Sequence, residues 1–223
     1  MNLAPLIDHT ILKPTTTFAD IQKVCKEAIQ YRFAAVCVPP YFVSAAKMLL
    51  QNSEVKTATV IGFPFGYGHF SAKAKEVEQA TGDGADEVDM VINLAALKAA
   101  DLTYLKAEIA AIVKLTEKAV SLKLIIESGV LSSQEIITCC ELYRQYPVDF
   151  LKTSTGYAEK SASVEAVQLI REHLPSSIRI KASGGIRNYA FAKSLVDAGA
   201  GRLGCSASVA IVNGEKDMAA EDY

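Results

Sequence analysis

DFLKTSTG at residues 149–156 and IRIKASGG at residues 178–185 share one arrangement: a short apolar run, a lysine at its end, then a loop of small residues. A lysine closing a strand-length run is unusual, because its ammonium is costly to bury. Two in equivalent places in consecutive units imply two parallel strands whose ends face one mouth.

Working outward, six more β-branched or apolar runs punctuate the chain: PLID at 5–8, AAVCV at 34–38, TATVIGF at 57–63, DEVDMVI at 86–92, LKLIIES at 122–128 and RLGCS at 202–206. Helical periodicity separates most of them, as with Ile21, Val24, Cys25, Ala28 and Ile29, or Leu102, Leu105, Ile109, Ile112 and Val113. Thr17, Ser71, Ser132 or Ser133, and Asn188 precede such stretches as candidate caps. Alternating strands and helices imply a parallel sheet. Eight units filling the chain, with no linker, predict one α/β domain, a closed (β/α)8 barrel over residues 1–213. The polar segment 214–223 is expected to be a mobile tail. A doubly wound sheet would need a switch point and, for dinucleotides, a G-x-G-x-x-G turn after its first strand, which is absent. In a closed barrel the chemistry belongs at the C-terminal ends of the strands.

The 223 residues are 50% apolar and carry a formal net charge of −2. That balance offers no footprint for nucleic acid or for a membrane surface. Cys25, Cys37, Cys139, Cys140 and Cys205 lack C-x-x-C spacing and lie in apolar segments, so reduced thiols and a cytoplasmic location are expected. His69 and His173 have no metal-ligand spacing, and no metal site is expected.

Lys152 and Lys181 carry the candidate chemistry. Desolvation and a neighbouring ammonium both lower a lysine pKa, and a neutral amine attacks carbonyls. The residues alone do not say which lysine attacks and which tunes. In DEVDMVIN, Val88, Met90 and Ile92 fall on one face, Glu87, Asp89 and Asn93 on the other. Asp89 then points inward, as a proton relay or as a lysine's counter-ion. The loops at Ser154–Gly156, Ser183–Gly185 and Gly204–Ser206 expose backbone amides, and the last leads into a helix whose N-terminus suits a phosphate. His9 reads as a satisfied buried histidine or a mouth residue, and Cys37 as a packed thiol.

IDHTILKP at 7–14, VCVPP at 36–40, EVDMVIN at 87–93, FLKTSTG at 150–156 and KASGGIR at 181–187 together resemble the deoxyribose-phosphate aldolases over nearly the whole chain. The resemblance implies a cofactor-free barrel enzyme of deoxyribonucleotide sugar degradation. Such an enzyme reversibly cleaves 2-deoxy-D-ribose 5-phosphate to D-glyceraldehyde 3-phosphate and acetaldehyde. It assigns the Schiff base to Lys152, the lowering of its pKa to Lys181 and proton transfer through water to Asp89. It implies substrate contacts at Asp8, Cys37 and Thr153, with phosphate held by the loops of Gly156, Gly184, Gly185, Gly204 and Ser206. Some relatives use a C-terminal tyrosine, which makes Tyr223 a candidate. The partners implied are an aldehyde and a phosphosugar, and the assembly implied is a homodimer. Two departures stand out: Ala207 follows Ser206 where many relatives have a second serine, and Tyr157 stands where some have lysine. Another Schiff-base aldolase, a transaldolase-like barrel or a non-catalytic phosphosugar-binding barrel is the alternative reading.

Overall fold

A computed structural model describes residues 1–116 and 120–221, with side chains described as far as residue 214. The strands are β1 (Ile7–Thr10), β2 (Ala35–Val38), β3 (Lys56–Ile61), β4 (Glu87–Val91), β5 (Ser121–Ile125), β6 (Phe150–Lys152), β7 (Arg179–Ser183) and β8 (Arg202–Cys205). All pair in parallel, in chain order, and β8 returns to β1 to close the barrel. The helices are α1 (Phe18–Tyr31), α2 (Val43–Leu50), α3 (Phe70–Gly82), α4 (Leu94–Lys98), α5 (Leu102–Thr116), α6 (Ser133–Tyr143), α7 (Val164–His173), α8 (Tyr189–Asp197) and α9 (Ser208–Glu221). The expected (β/α)8 barrel is therefore the fold, and each predicted apolar run overlaps a strand.

The caps explain where helices begin. Thr17 and Asp20 form a reciprocal capping box on α1, Ser132 and Glu135 form one on α6, and Asn188 accepts from Phe191 N on α8. At α3 the reading of Ser71 is corrected: the cap is His69, whose Nδ1 accepts the Ser71 N–H at 3.2 Å. Asn93 is corrected as well. The strand alternation stops at Val91, and Asn93 turns away from the interior to cap α4, accepting from Ala96 N. The helix expected after β8 is α9, whose backbone is helical through Glu221. Tyr223 lies outside the described residues.

Strand alternation divides the core in two. Residues turned outward, among them Val36, Val88, Met90, Leu122, Leu124, Leu151, Ile180 and Leu203, pack against the helices. Those turned inward are of two kinds. Ala35, Cys37, Ala58 and Val60 of β2 and β3 form a small apolar cluster. Asp8, Glu87, Asp89, Lys123, Lys152 and Lys181 of β1 and β4 to β7 are all buried, and Arg202 of β8 reaches in beside them. On the side away from the mouth Phe150 seals this polar half, with the Arg179 guanidinium 4.0 Å and the Arg202 guanidinium 5.2 Å from its ring centroid.

Candidate active site

Parallel pairing sets Lys152 directly beside Lys181, and Asp89 beside Lys123. The geometry follows from that register. Asp89 is fully buried; its Oδ1 accepts from Lys123 Nζ at 2.7 Å, and its Oδ2 accepts from Lys152 Nζ at 2.7 Å and Lys181 Nζ at 2.6 Å. Asp8, also fully buried, accepts from Lys181 on Oδ2 and from Arg202 on Oδ1 at 2.6 Å. Glu87 takes Lys123 at 2.6 Å and Arg202 at 3.2 Å.

Three carboxylates thus face four basic groups. Lys152 has the weakest hold on a proton, because its one carboxylate oxygen is shared with another cation. Burial first, then the Lys181 charge, pull its pKa below the ordinary lysine value despite Asp89. Lys181 differs from Lys152. Burial opposes its charge, but Asp8 and Asp89 together outweigh that, and its pKa is raised. Lys123 is held charged in the same way by Asp89, with Asp8 and Glu87 adding to it. Burial likewise opposes the charge of Asp89, yet its three lysines bring its pKa well below the carboxylate range. The register pair therefore contains one amine biased toward neutrality and one fixed as a cation.

Above these groups a cavity of about 720 Å³ opens at the C-terminal end of the barrel. Lys152, 3% exposed, is its basic floor residue, while Gly156, Gly184, Gly185, Gly204 and Ser206 line one wall. Glycine is required at two of these places. Gly184 has φ +89°, and a Cβ on Gly204 would come within 2.8 Å of Ser183 Cβ and 3.1 Å of Lys181 Cε. Lys13, Lys23 and Arg187 lie around the same mouth together with Asp20 and Glu27, the latter 3.9 Å from Lys23.

Of the other site residues from the sequence, His9 and Tyr157 line the cavity, whereas Asp8, Cys37, Asp89, Thr153 and Lys181 do not. Asp8, Asp89 and Lys181 form the network just described. Cys37 is fully buried, and burial pushes its thiol up to about 11, which fits a packed, protonated thiol. Thr153 is also fully buried; its hydroxyl donates to Ser183 O at 3.3 Å and accepts from Ser183 N at 3.1 Å, fastening β6 to β7. His9 faces outward with both ring nitrogens bonded, to Ser208 and Glu27. Tyr157 crosses the mouth: its hydroxyl donates to Leu12 O at 2.8 Å, and its ring meets Phe63 edge-on at 5.4 Å.

Sequence reading missed Lys123, Glu127 and Arg202 as members of the site. Lys123 was detectable, since it interrupts Leu122 and Leu124 just as Asp89 interrupts Val88 and Met90. Glu127 sits past the end of β5 with φ 53° and accepts from Thr155 N and from the Thr155 hydroxyl. Burial raises its pKa, with those two donors and the Lys152 charge opposing. It ties the loop after β6 to the end of β5.

Comparison with known proteins agrees with this geometry. Residues 3–213 match the model of the DeoC/LacD family aldolases. A Clostridium perfringens protein named deoxyribose-phosphate aldolase is 46% identical over 213 residues, covering 96% of this chain and 95% of the relative. One from Thermococcus gammatolerans with the same name is 47% identical over 220 residues, covering 97% and 98%. The solved deoxyribose phosphate aldolase of Aeropyrum pernix, described as a unique tetrameric structure, superposes with a TM-score of 0.90 at 30% identity over 97% of this chain and 92% of its own. The chain belongs to the DeoC/LacD family of aldolases.

Proposed function

We propose that this aldolase reversibly cleaves 2-deoxy-D-ribose 5-phosphate to D-glyceraldehyde 3-phosphate and acetaldehyde through a Schiff base on Lys152. One observation carries the assignment to Lys152: of the three lysines bonded to Asp89, it alone lines the cavity and alone has its pKa lowered.

In the cleavage direction the neutral Lys152 amine adds to the C1 aldehyde of the open-chain sugar, and loss of water leaves a protonated imine. The C3 hydroxyl gives up its proton as the C2–C3 bond breaks. The bond's electrons pass to the iminium nitrogen and form an enamine, and the phosphorylated three-carbon aldehyde departs. Protonation of the enamine carbon and hydrolysis then release acetaldehyde and restore the amine. The imine is the electron sink, which accounts for a reaction without a cofactor. Lys181, fixed as a cation, keeps Lys152 deprotonated, and Asp89 relays protons through water. Asp8, Cys37 and Thr153 support the reacting end from below. The loops of Gly156, Gly184, Gly185, Gly204 and Ser206 take the phosphate on backbone amides.

Tyr223 is assigned to proton transfer at the enamine carbon, so its deletion slows α-proton exchange while leaving imine formation intact. Residues 1–213 are taken as the catalytic barrel, with 214–223 an appendage. A cytoplasmic homodimer is the proposed state, its mass checkable by light scattering against the tetramer named for the Aeropyrum pernix protein.

Mass spectrometry after incubation with acetaldehyde and borohydride tests the central claim. A reduced two-carbon adduct on the Lys152 peptide, lost in Lys152→Ala, is expected. An adduct on Lys181 would reverse the lysine roles, and the absence of any adduct would favour a binding barrel. Turnover of a ketose donor in place of acetaldehyde would indicate a transaldolase-like enzyme.

A further inference from the structure

His9 follows Asp8 on β1, so alternation carries it out of the barrel and into the layer of helices, where it is 4% exposed. Its ring bridges two helices. Nε2 lies 2.8 Å from Glu27 Oε2 on α1, and Nδ1 lies 2.9 Å from the hydroxyl of Ser208, the first residue of α9. Ser208 is fully buried, and the same hydroxyl lies 2.9 Å from the carbonyl oxygen of Cys205. A hydroxyl has one proton to give. It serves either the Cys205 carbonyl or His9 Nδ1, while Nε2–H donates to the Glu27 carboxylate. The Phe33 ring, 5.3 Å from the imidazole, packs against it.

This chain of bonds runs from α1 to the turn between β8 and α9. Cys205 closes β8 at the start of that turn, between Gly204 and Ser206, and these three, like His9 and Glu27, line the cavity. Among the described residues, none of Glu27, His9 and Ser208 bonds to Lys123, Lys152, Lys181 or the interior carboxylates, while Glu27 also lies 3.9 Å from the Lys23 ammonium at the rim. The network therefore touches the glycine-lined wall and leaves the amine end alone. Its importance grows with Ala207, which supplies no hydroxyl and leaves recognition there to Ser206 and to backbone amides. Amides are useful only when they are aimed.

We propose that His9, held by Glu27, is a positioning residue for phosphate recognition, acting through Ser208 to fix the Gly204–Ala207 turn and the first turn of α9. With both ring nitrogens already bonded, it works through this turn rather than by touching the phosphate. The inference rests on the phosphate reading proposed above and adds to it a determinant outside the loops themselves.

The test compares wild type with Ser208→Ala, His9→Gln and Glu27→Gln on 2-deoxy-D-ribose 5-phosphate and on unphosphorylated 2-deoxy-D-ribose. Loss of one hydrogen bond in the relay should raise KM for the phosphorylated sugar by about 5-fold to 10-fold, with kcat and the unphosphorylated reaction changed less than about 2-fold. Inorganic phosphate, as a competitive inhibitor, should weaken by the same factor. A His9→Gln/Ser208→Ala double variant should be no worse than either single, because the two act in series. Equal losses on both substrates would reduce the network to fold support and overturn the proposal, as would an unchanged preference for phosphate. Ser208→Ala removes a single atom and carries the test if a His9 variant does not fold. A wild type that neither prefers the phosphorylated sugar nor is inhibited by phosphate would instead sink the underlying phosphate reading.

Discussion

Lys152 and Lys181, side by side in the β6–β7 register, donate to the same oxygen of Asp89, at 2.7 Å and 2.6 Å. The sharing is unequal. Lys181 also has Asp8 and stays charged, whereas Lys152 has only its part of Asp89. One carboxylate oxygen between two ammoniums cannot neutralise both, and the amine at the cavity floor is the one that yields its proton.

The pH dependence of imine formation follows from this asymmetry. The reacting form of Lys152 is neutral, so the borohydride-trapping rate rises with pH, and its midpoint lies below the ordinary lysine value of about 10.4. In Lys181→Met the opposing cation is gone and Oδ2 of Asp89 serves Lys152 alone, and both changes favour the charged amine. The profile should move to higher pH. A midpoint that stays in place or moves down would contradict the role assigned to Lys181.

Lys123 makes no contact with the cavity, yet its removal should be felt throughout the site. Lys123→Met leaves Oδ1 of Asp89 without its lysine and Glu87 with Arg202 alone inside the barrel, and breaking a buried pair in this way costs about 3–5 kcal/mol. Urea unfolding should record that loss. Adding Glu87→Gln removes one of the stranded charges and should recover part of it. If Lys123→Met unfolds at the same urea concentration as wild type, the interior charges are not balanced as described.

Why some of this was legible in the sequence and some was not has a physical basis. The barrel and the inward aim of Asp89 follow from alternation, a local property of one strand. Lys123 obeys the same rule but is hidden in LKLIIES, where its neighbours make the run look wholly apolar. The Asp8–Lys181 bond joins residues 173 apart on strands that do not adjoin, so only closure of the barrel brings them together. Glu127 could not be read either, because its left-handed backbone follows the strand and redirects the side chain. Which lysine keeps its proton could not be read for a related reason: the lysine pair is visible in sequence, while the two carboxylates that hold Lys181 charged are not.

Acid stability should report on the same network. Burial alone would raise the Asp8 pKa, but Lys181, Lys123 and Arg202 overcome it and lower the value from 3.8 to about 2. A carboxylate with a depressed folded-state pKa stabilises the fold above its unfolded pKa, and the benefit fades as pH falls toward the folded value. Unfolding free energy should therefore decline between about pH 4 and pH 2. In Asp8→Asn, already weaker at neutral pH, that decline should be shallower. An equal slope in the two proteins would remove Asp8 from the account.

Tyr157 gives the mouth a boundary that a lysine would not. Its hydroxyl holds the Leu12 carbonyl and its ring edge rests on Phe63, so the loops after β1, β3 and β6 meet above the cavity. Tyr157→Phe keeps the ring and loses one half-exposed hydrogen bond, a change worth about 1 kcal/mol or less. Tyr157→Ala removes both links and opens the mouth between the loops after β1, β3 and β6. Bulkier acceptor aldehydes should then gain in kcat/KM relative to D-glyceraldehyde 3-phosphate, while Tyr157→Phe stays close to wild type. The contrast separates ring from hydroxyl. If the two variants change acceptor preference equally, the Leu12 bond sets the boundary; if neither does, the bridge has no part in acceptor choice.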